Sequence, residues 1–253
     1  MATPPPIPLR AVFAAIWNGI AEVFVRLRRP ALTGLSIYLA FAILDAFIEP
    51  DRSLLRSIPE GIRDVLLVPF SLAIFRLLIL GEVASHYRFE TSSPRFQRLT
   101  IWTIALWLWI SVILPLAMEL FPVAHGIQMV ATIVLIILSI AFIIRIAILF
   151  PALAVDASGA TISNALADTR DRNWFILKAF FVTFVPTLLT MLLLGTLVAL
   201  GSASHLTGFS HWSGLPWLVL VSLVGFVTYV AIAVTAARLY GWIGEAVKAG
   251  ARG

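Results

Sequence analysis

The sequence predicts an all-α polytopic membrane protein of six transmembrane helices, with an N-terminal amphipathic helix lying in the interface. Three observations predict it. Hydrophobic residues are 60% of the 253 and charged residues only 12%, with a mean hydropathy of +1.00. The apolar residues come in blocks of about 20 or more, and a helix needs ~20 residues at ~1.5 Å each to cross ~30 Å of hydrocarbon. Lys and Arg are shared unevenly between alternate connections, as in cytoplasmic loops. A soluble domain of this length would carry far more polar surface.

Met1 to Pro8 is a proline-rich lead-in, and the stretch after it lacks the small-residue cleavage site of a signal peptide. Residues 9–26 place Leu9, Val12, Phe13, Ile16, Ile20, Val23 and Phe24 at helical spacing, with Arg10, Asn18, Glu22 and Arg26 mainly opposite. This predicts an interfacial helix with Arg28 and Arg29 at the headgroups; the alternative is a helix packed under the bundle. Six spans follow at about 31–49, 62–85, 99–121, 126–150, 174–200 and 215–240. The chain thus divides into a lead-in and interfacial helix (1–30), a membrane domain (31–242) and a cytoplasmic tail (243–253).

With the N-terminus inside, thirteen of the 18 Lys and Arg fall on the cytoplasmic side. Only Arg52, Arg56 and Arg63 fall opposite, and Arg76 and Arg145 lie within spans. Both termini are therefore expected in the cytoplasm of a bacterial inner membrane. The same bias accounts for the net charge of +5 without a nucleic-acid partner. Absence of cysteine excludes a disulfide framework, a thiolate nucleophile and cysteine-ligated metal.

Pro69, Pro115 and Pro186 fall within spans two, three and five. Each lacks a backbone donor and crowds the carbonyl four residues earlier, so kinks are expected. Span six carries small residues at Ser222, Gly225, Thr228, Ala231 and Thr235. That stripe allows close helix packing, inside the bundle or with a second copy or another membrane protein.

The candidate intramembrane polar residues are Asp45, Arg76, Glu82 and Arg145. A charge at bilayer depth is costly and marks a place to look for function. Counted along the predicted spans, Asp45 lies ~6 Å from the outer end and Arg76 ~13 Å from the inner end, so pairing would need tilt, a kink or water. Asp45 can equally snorkel outward. Glu82 and Arg145 fall at similar depths, which suggests a pair fastening spans two and four. Glu82 and His86 share a helical face at i, i+4, which suits metal ligation or a solvated face. His125, His205 and His211, with Glu119 nearby, fall on the outer side, as a metal cluster or part of an interfacial belt. No Walker loop, dinucleotide fingerprint, HExxH or GxSxG motif is present, so no catalytic residue, cofactor or metal is assigned.

Between spans four and five, Ser158 can cap a short helix with Ile162, Ala165, Leu166 and Thr169 on one face, which Asn173 can stop before Trp174. Through Arg145, Pro151, Gly159, Ala165, Leu166, Asn173 and Trp174, and through Arg76 with Leu80-Gly81-Glu82, the chain resembles a group of uncharacterised alphaproteobacterial inner-membrane proteins. That group is distantly similar to the membrane domain of some glycerophosphodiester phosphodiesterases. The resemblance implies the span layout and no activity, since no soluble phosphodiesterase domain is expected here. A non-enzymatic scaffold or modulator of a membrane process is the leading expectation. A transporter of a small anionic solute or lipid using Arg76 and Asp45 is the alternative, and a membrane-embedded enzyme a third.

Overall fold

Prolines stand at several of the breaks between the helices of this chain. The computed structural model describes residues 7–46, 53–116, 125–203 and 214–249, and no strand occurs among them. Helix α1 (Leu9–Arg26) and α2 (Arg28–Ala46) meet at Leu27 with a 97° bend. Pro30 stands in the first turn of α2, where its missing N–H costs nothing, but a helix running through it would lose the bond to Arg26 and crowd that carbonyl. The same logic separates α3 (Ser53–Leu66) from α4 (Val68–Leu80) just ahead of Pro69.

Helix α5 (Pro94–Leu108) continues through a wide turn at Trp109–Ile113, in which Leu114 N–H reaches back five residues to Trp109. Pro115 follows directly. Helix α6 (His125–Ile146) gives way at Ala147 and Ile148 to α7 (Leu149–Ala154), with Pro151 in its first turn. The predicted fourth span stops at residue 150, just before this proline, but the break lies upstream of Pro151 and the helix goes on to Ala154. Two prolines are carried inside helices without a break: Pro59 in α3 and Pro186 in the 31-residue α9 (Asn173–Ala203).

The short α8 (Ile162–Thr169) is capped by Thr161 Oγ1, which accepts from Asn164 N at 3.2 Å; the cap is Thr161 rather than Ser158. Asn173 opens α9 instead of stopping α8. Helix α10 (Gly214–Ile243) and α11 (Glu245–Ala249) complete the chain.

The protein is an all-helical membrane protein. Pro94–Leu116, Val130–Ala154, Asn173–Thr196 and Trp217–Ile243 are long and apolar enough to cross a bilayer, and the bent α1–α2 pair makes a fifth if it counts as one span. These four match the predicted spans three to six. The predicted second span, 62–85, is not one helix. It is the amphipathic end of α3 followed by the 13-residue, largely apolar α4, only ~20 Å long at ~1.5 Å per residue. Helix α4 can be this short because it is packed on most sides: Phe70, Leu72, Ala73, Ile74, Phe75 and Leu77 are all buried. A helix apolar all round belongs either in lipid or in a protein core. The lipid-facing role falls to α6 and α9, where Val130, Leu138, Leu188 and Leu192 are exposed.

Phe226 of α10 is the hub of the core. It stacks on Phe70 of α4 at 5.5 Å and meets Phe24 of α1 and Tyr38 of α2 edge-on at 6.2 and 6.1 Å. Helix α1 buries Val12, Ile16, Ile20 and Val23, and a Cβ on its Gly19 would lie 2.7 Å from Val234 of α10. Its apolar stripe therefore packs into the bundle, the second of the two dispositions the sequence allowed. The small-residue stripe of α10 is also used inside the chain. Thr235 Oγ1 meets Thr183 Oγ1 at 2.6 Å, Thr228 Oγ1 donates to Thr187 Oγ1 at 3.2 Å, and a Cβ on Gly225 would lie 2.6 Å from the Tyr38 hydroxyl. Ser222 is buried and donates to Leu218 O at 2.7 Å.

Candidate functional site

Three connections gather at one end of the bundle. Arg95, in the first turn of α5, meets Asp156 at 3.5 Å, and Arg172 meets Glu245 at 3.1 Å. Asp168 accepts from Ala246 N and Val247 N at 2.8 and 3.0 Å. Residues 81–93, 155–172 and α11 therefore lie together. By the Lys and Arg bias this is the end expected in the cytoplasm.

Within it opens a cleft of about 300 Å³, between α4 from Pro69 to Arg76, the irregular connection after that helix, Pro30 of α2 and Arg95. Arg76, Arg88 and Arg95 line it against Glu82 and Glu90, with His86 and Tyr87. Helix α4 ends at Gly81, whose φ of 74° is the left-handed conformation that lets a chain leave a helix. Arg76 therefore lies about 6 Å from the end of its helix at ~1.5 Å per residue, not near mid-membrane as counted on a span ending at 85.

Arg76 is held from two sides. Its Nε donates to Glu82 Oε2 at 2.7 Å, its Nη2 pairs with the same oxygen, and its Nη1 donates to Ala154 O at 3.4 Å. Ala154 is the last residue of α7, so a cation there also meets the negative end of that helix. The expected Glu82–Arg145 pair is not formed. Arg145 instead donates from Nη2 to Leu166 O at 3.1 Å and from Nε to Thr169 Oγ1 at 3.4 Å, at the C-terminal end of α8. Arg76 and Arg145 thus both serve helix C-termini.

Asp45 falls in the last turn of α2, and its side chain lies outside the described residues. Glu119, His205 and His211 lie outside them too, as does the side chain of His125, so the outer histidine cluster falls beyond what is described. Glu82 and His86 stand in an irregular connection, not on a helical face. Among the described residues no three metal-ligating side chains converge.

Two features of the cleft escaped the sequence. The arginines Arg88 and Arg95 read there only as topology signals. Tyr87 had no signal as a lone tyrosine in a polar loop, yet its hydroxyl donates to Leu66 O at 2.5 Å. Burial pushes its phenol well above the ordinary tyrosine range. Tyr229 donates to the neighbouring Leu67 O at 3.2 Å. The two phenols thereby serve carbonyls at the α3–α4 break, where Phe70 N–H bonds Leu67 O instead of Leu66 O.

No family model, curated protein or solved structure matches this chain.

Proposed function

We propose that this is a multi-pass protein of the bacterial inner membrane, both termini cytoplasmic, which holds an anionic group in the Arg76 cleft as a non-enzymatic scaffold or modulator of a membrane process. The observation that carries the reading is the cleft: about 300 Å³, with three arginines against two glutamates in its wall. That volume is at the lower end of small-ligand sites. A guanidinium fork matches carboxylate and phosphate oxygens. The orientation rests on the Lys and Arg bias, and on the gathering of the basic connections at one end of the bundle. The likeness of the Arg145–Trp174 segment to the alphaproteobacterial group belongs to the same proposal and adds no activity.

The test is a thermal-shift comparison of the detergent-solubilised full chain with anions and their neutral analogues. Anions should raise the melting temperature of the native chain but not of Arg76→Gln, provided that variant elutes as the native chain does. Equal shifts for charged and neutral compounds would refute the reading. The alternative of a carrier for a small anionic solute or lipid, passing Arg76 and Asp45, is favoured by one observation: the joint at Leu67 gives α3 and α4 a place to swing. Uptake of the bound anion into proteoliposomes would select it over the scaffold.

A further inference from the structure

We infer that the cleft takes a phosphate monoester carried on a lipid, and that Glu82 is a resident anion which this phosphate displaces from Arg76. The inference rests on the anion-binding reading above and names its ligand.

The two partners of the ion pair are held unequally. Arg76 stands on a helix whose neighbouring Phe75 and Leu77 are buried, and its guanidinium is tied to Ala154 O. Its side chain is 22% exposed, against 51% for Glu82. Glu82 follows the left-handed Gly81 and lies in a connection without regular structure. It also fits poorly. Nε and Nη2 of Arg76 converge on one oxygen, Oε2, where a guanidinium fork is best met by two. A half-exposed carboxylate in such a pair is easily given up.

A phosphate monoester answers what Glu82 leaves unmet. It carries close to two negative charges and three terminal oxygens, so each arm of the Arg76 fork can have its own acceptor. A second charge needs a second cation. Arg88, in the wall of the cleft, makes no ion pair among the described residues and can supply it. The surroundings favour a lipid over a free ion. Leu80, Val83 and Phe89, from the end of α4 and the connection that walls the cleft, are each about half exposed, at 48%, 50% and 47%. Apolar side chains beside an arginine cleft suit acyl chains below a charged headgroup.

The test is microscale thermophoresis of the detergent-solubilised full chain with dioctanoyl phosphatidic acid, dioctanoyl phosphatidylcholine, inorganic phosphate and succinate. Phosphatidic acid should bind best, Arg76→Gln should weaken it about tenfold or more, and Glu82→Gln should tighten it several-fold. The opposite signs separate displacement from simple damage, since a variant that merely misfolds does not gain affinity. Unchanged or weaker binding in Glu82→Gln overturns the inference, as does phosphatidylcholine binding equal to phosphatidic acid. Inorganic phosphate binding as tightly as phosphatidic acid overturns the lipid source. Binding of succinate alone, with the same Arg76 dependence, leaves the anion cleft standing and ends the phosphate inference. If none of the four binds, both fall.

Discussion

The rings of Phe70 and Phe226 stack with centroids 5.5 Å apart and planes 11° apart, and Gly34 of α2 lies against both. A Cβ at Gly34 would meet each ring at 3.2 Å. The stack therefore joins α2, α4 and α10 at a single point. Lipid tails are as apolar as phenylalanine, so packing and dispersion hold this contact. Phe226→Ala should cost about 3 kcal/mol, the lower end for emptying a buried aromatic site, read as a lowered unfolding midpoint in detergent. An unchanged midpoint would mean that the hub bears no weight.

Asp168 receives two of the N–H groups left free at the start of α11, from Ala246 and Val247, and it does so across 78 residues of sequence. Asp168→Ala should cost about 1 kcal/mol, as for a lost helix cap. Hydrogen exchange should speed up at Ala246 and Val247 and not in α10. Gly159→Ala should give the same signature, because its Cβ would lie 2.4 Å from the Ala246 carbonyl oxygen, a backbone atom that cannot step aside.

Tyr87 offers a pH test. Its phenol is raised above the ordinary value by burial, so the folded chain favours the protonated form that donates to Leu66 O. This contribution is fully present below the unfolded tyrosine value of about 10 and declines as pH rises above it toward the folded value. Tyr87→Phe should lose about 1 kcal/mol at neutral pH for the abandoned carbonyl. It should also show a shallower loss of stability above pH ~10. Matching alkaline slopes in the two proteins would count against the buried bond.

Thr183 Oγ1 and Thr235 Oγ1 meet between α9 and α10 at 2.6 Å, and each also lies within hydrogen-bond distance of a carbonyl of its own helix, Ala179 O and Ala231 O. One hydroxyl proton cannot serve both acceptors at once. A double-mutant cycle with valine should therefore return a coupling of about 0.6 kcal/mol, the ordinary value for such bonds in membranes. A coupling of several times that size would show that the pair is more than packing.

Much of this fold is legible in the residues because lipid imposes a simple rule. Spans three to six are long and apolar, and their helices fall close to where the pattern places them. The second span misled because periodicity cannot separate a helix buried in protein from one bathed in lipid. The signal that would have corrected it was present: Gly81 after Leu80 is the usual mark of a helix end. Reading it there would have moved Arg76 toward the surface and next to Glu82. The Arg145 contact with α8 and the docking of Asp168 on α11 were not legible. They depend on how connections far apart in sequence settle against each other, and no local pattern records that.

Tyr87 belongs both to the wall of the arginine cleft and to the joint between α3 and α4. One hydroxyl therefore links a surface opening to an elbow in the interior. Removing that hydroxyl, as in Tyr87→Phe, takes the same tie from both places at once.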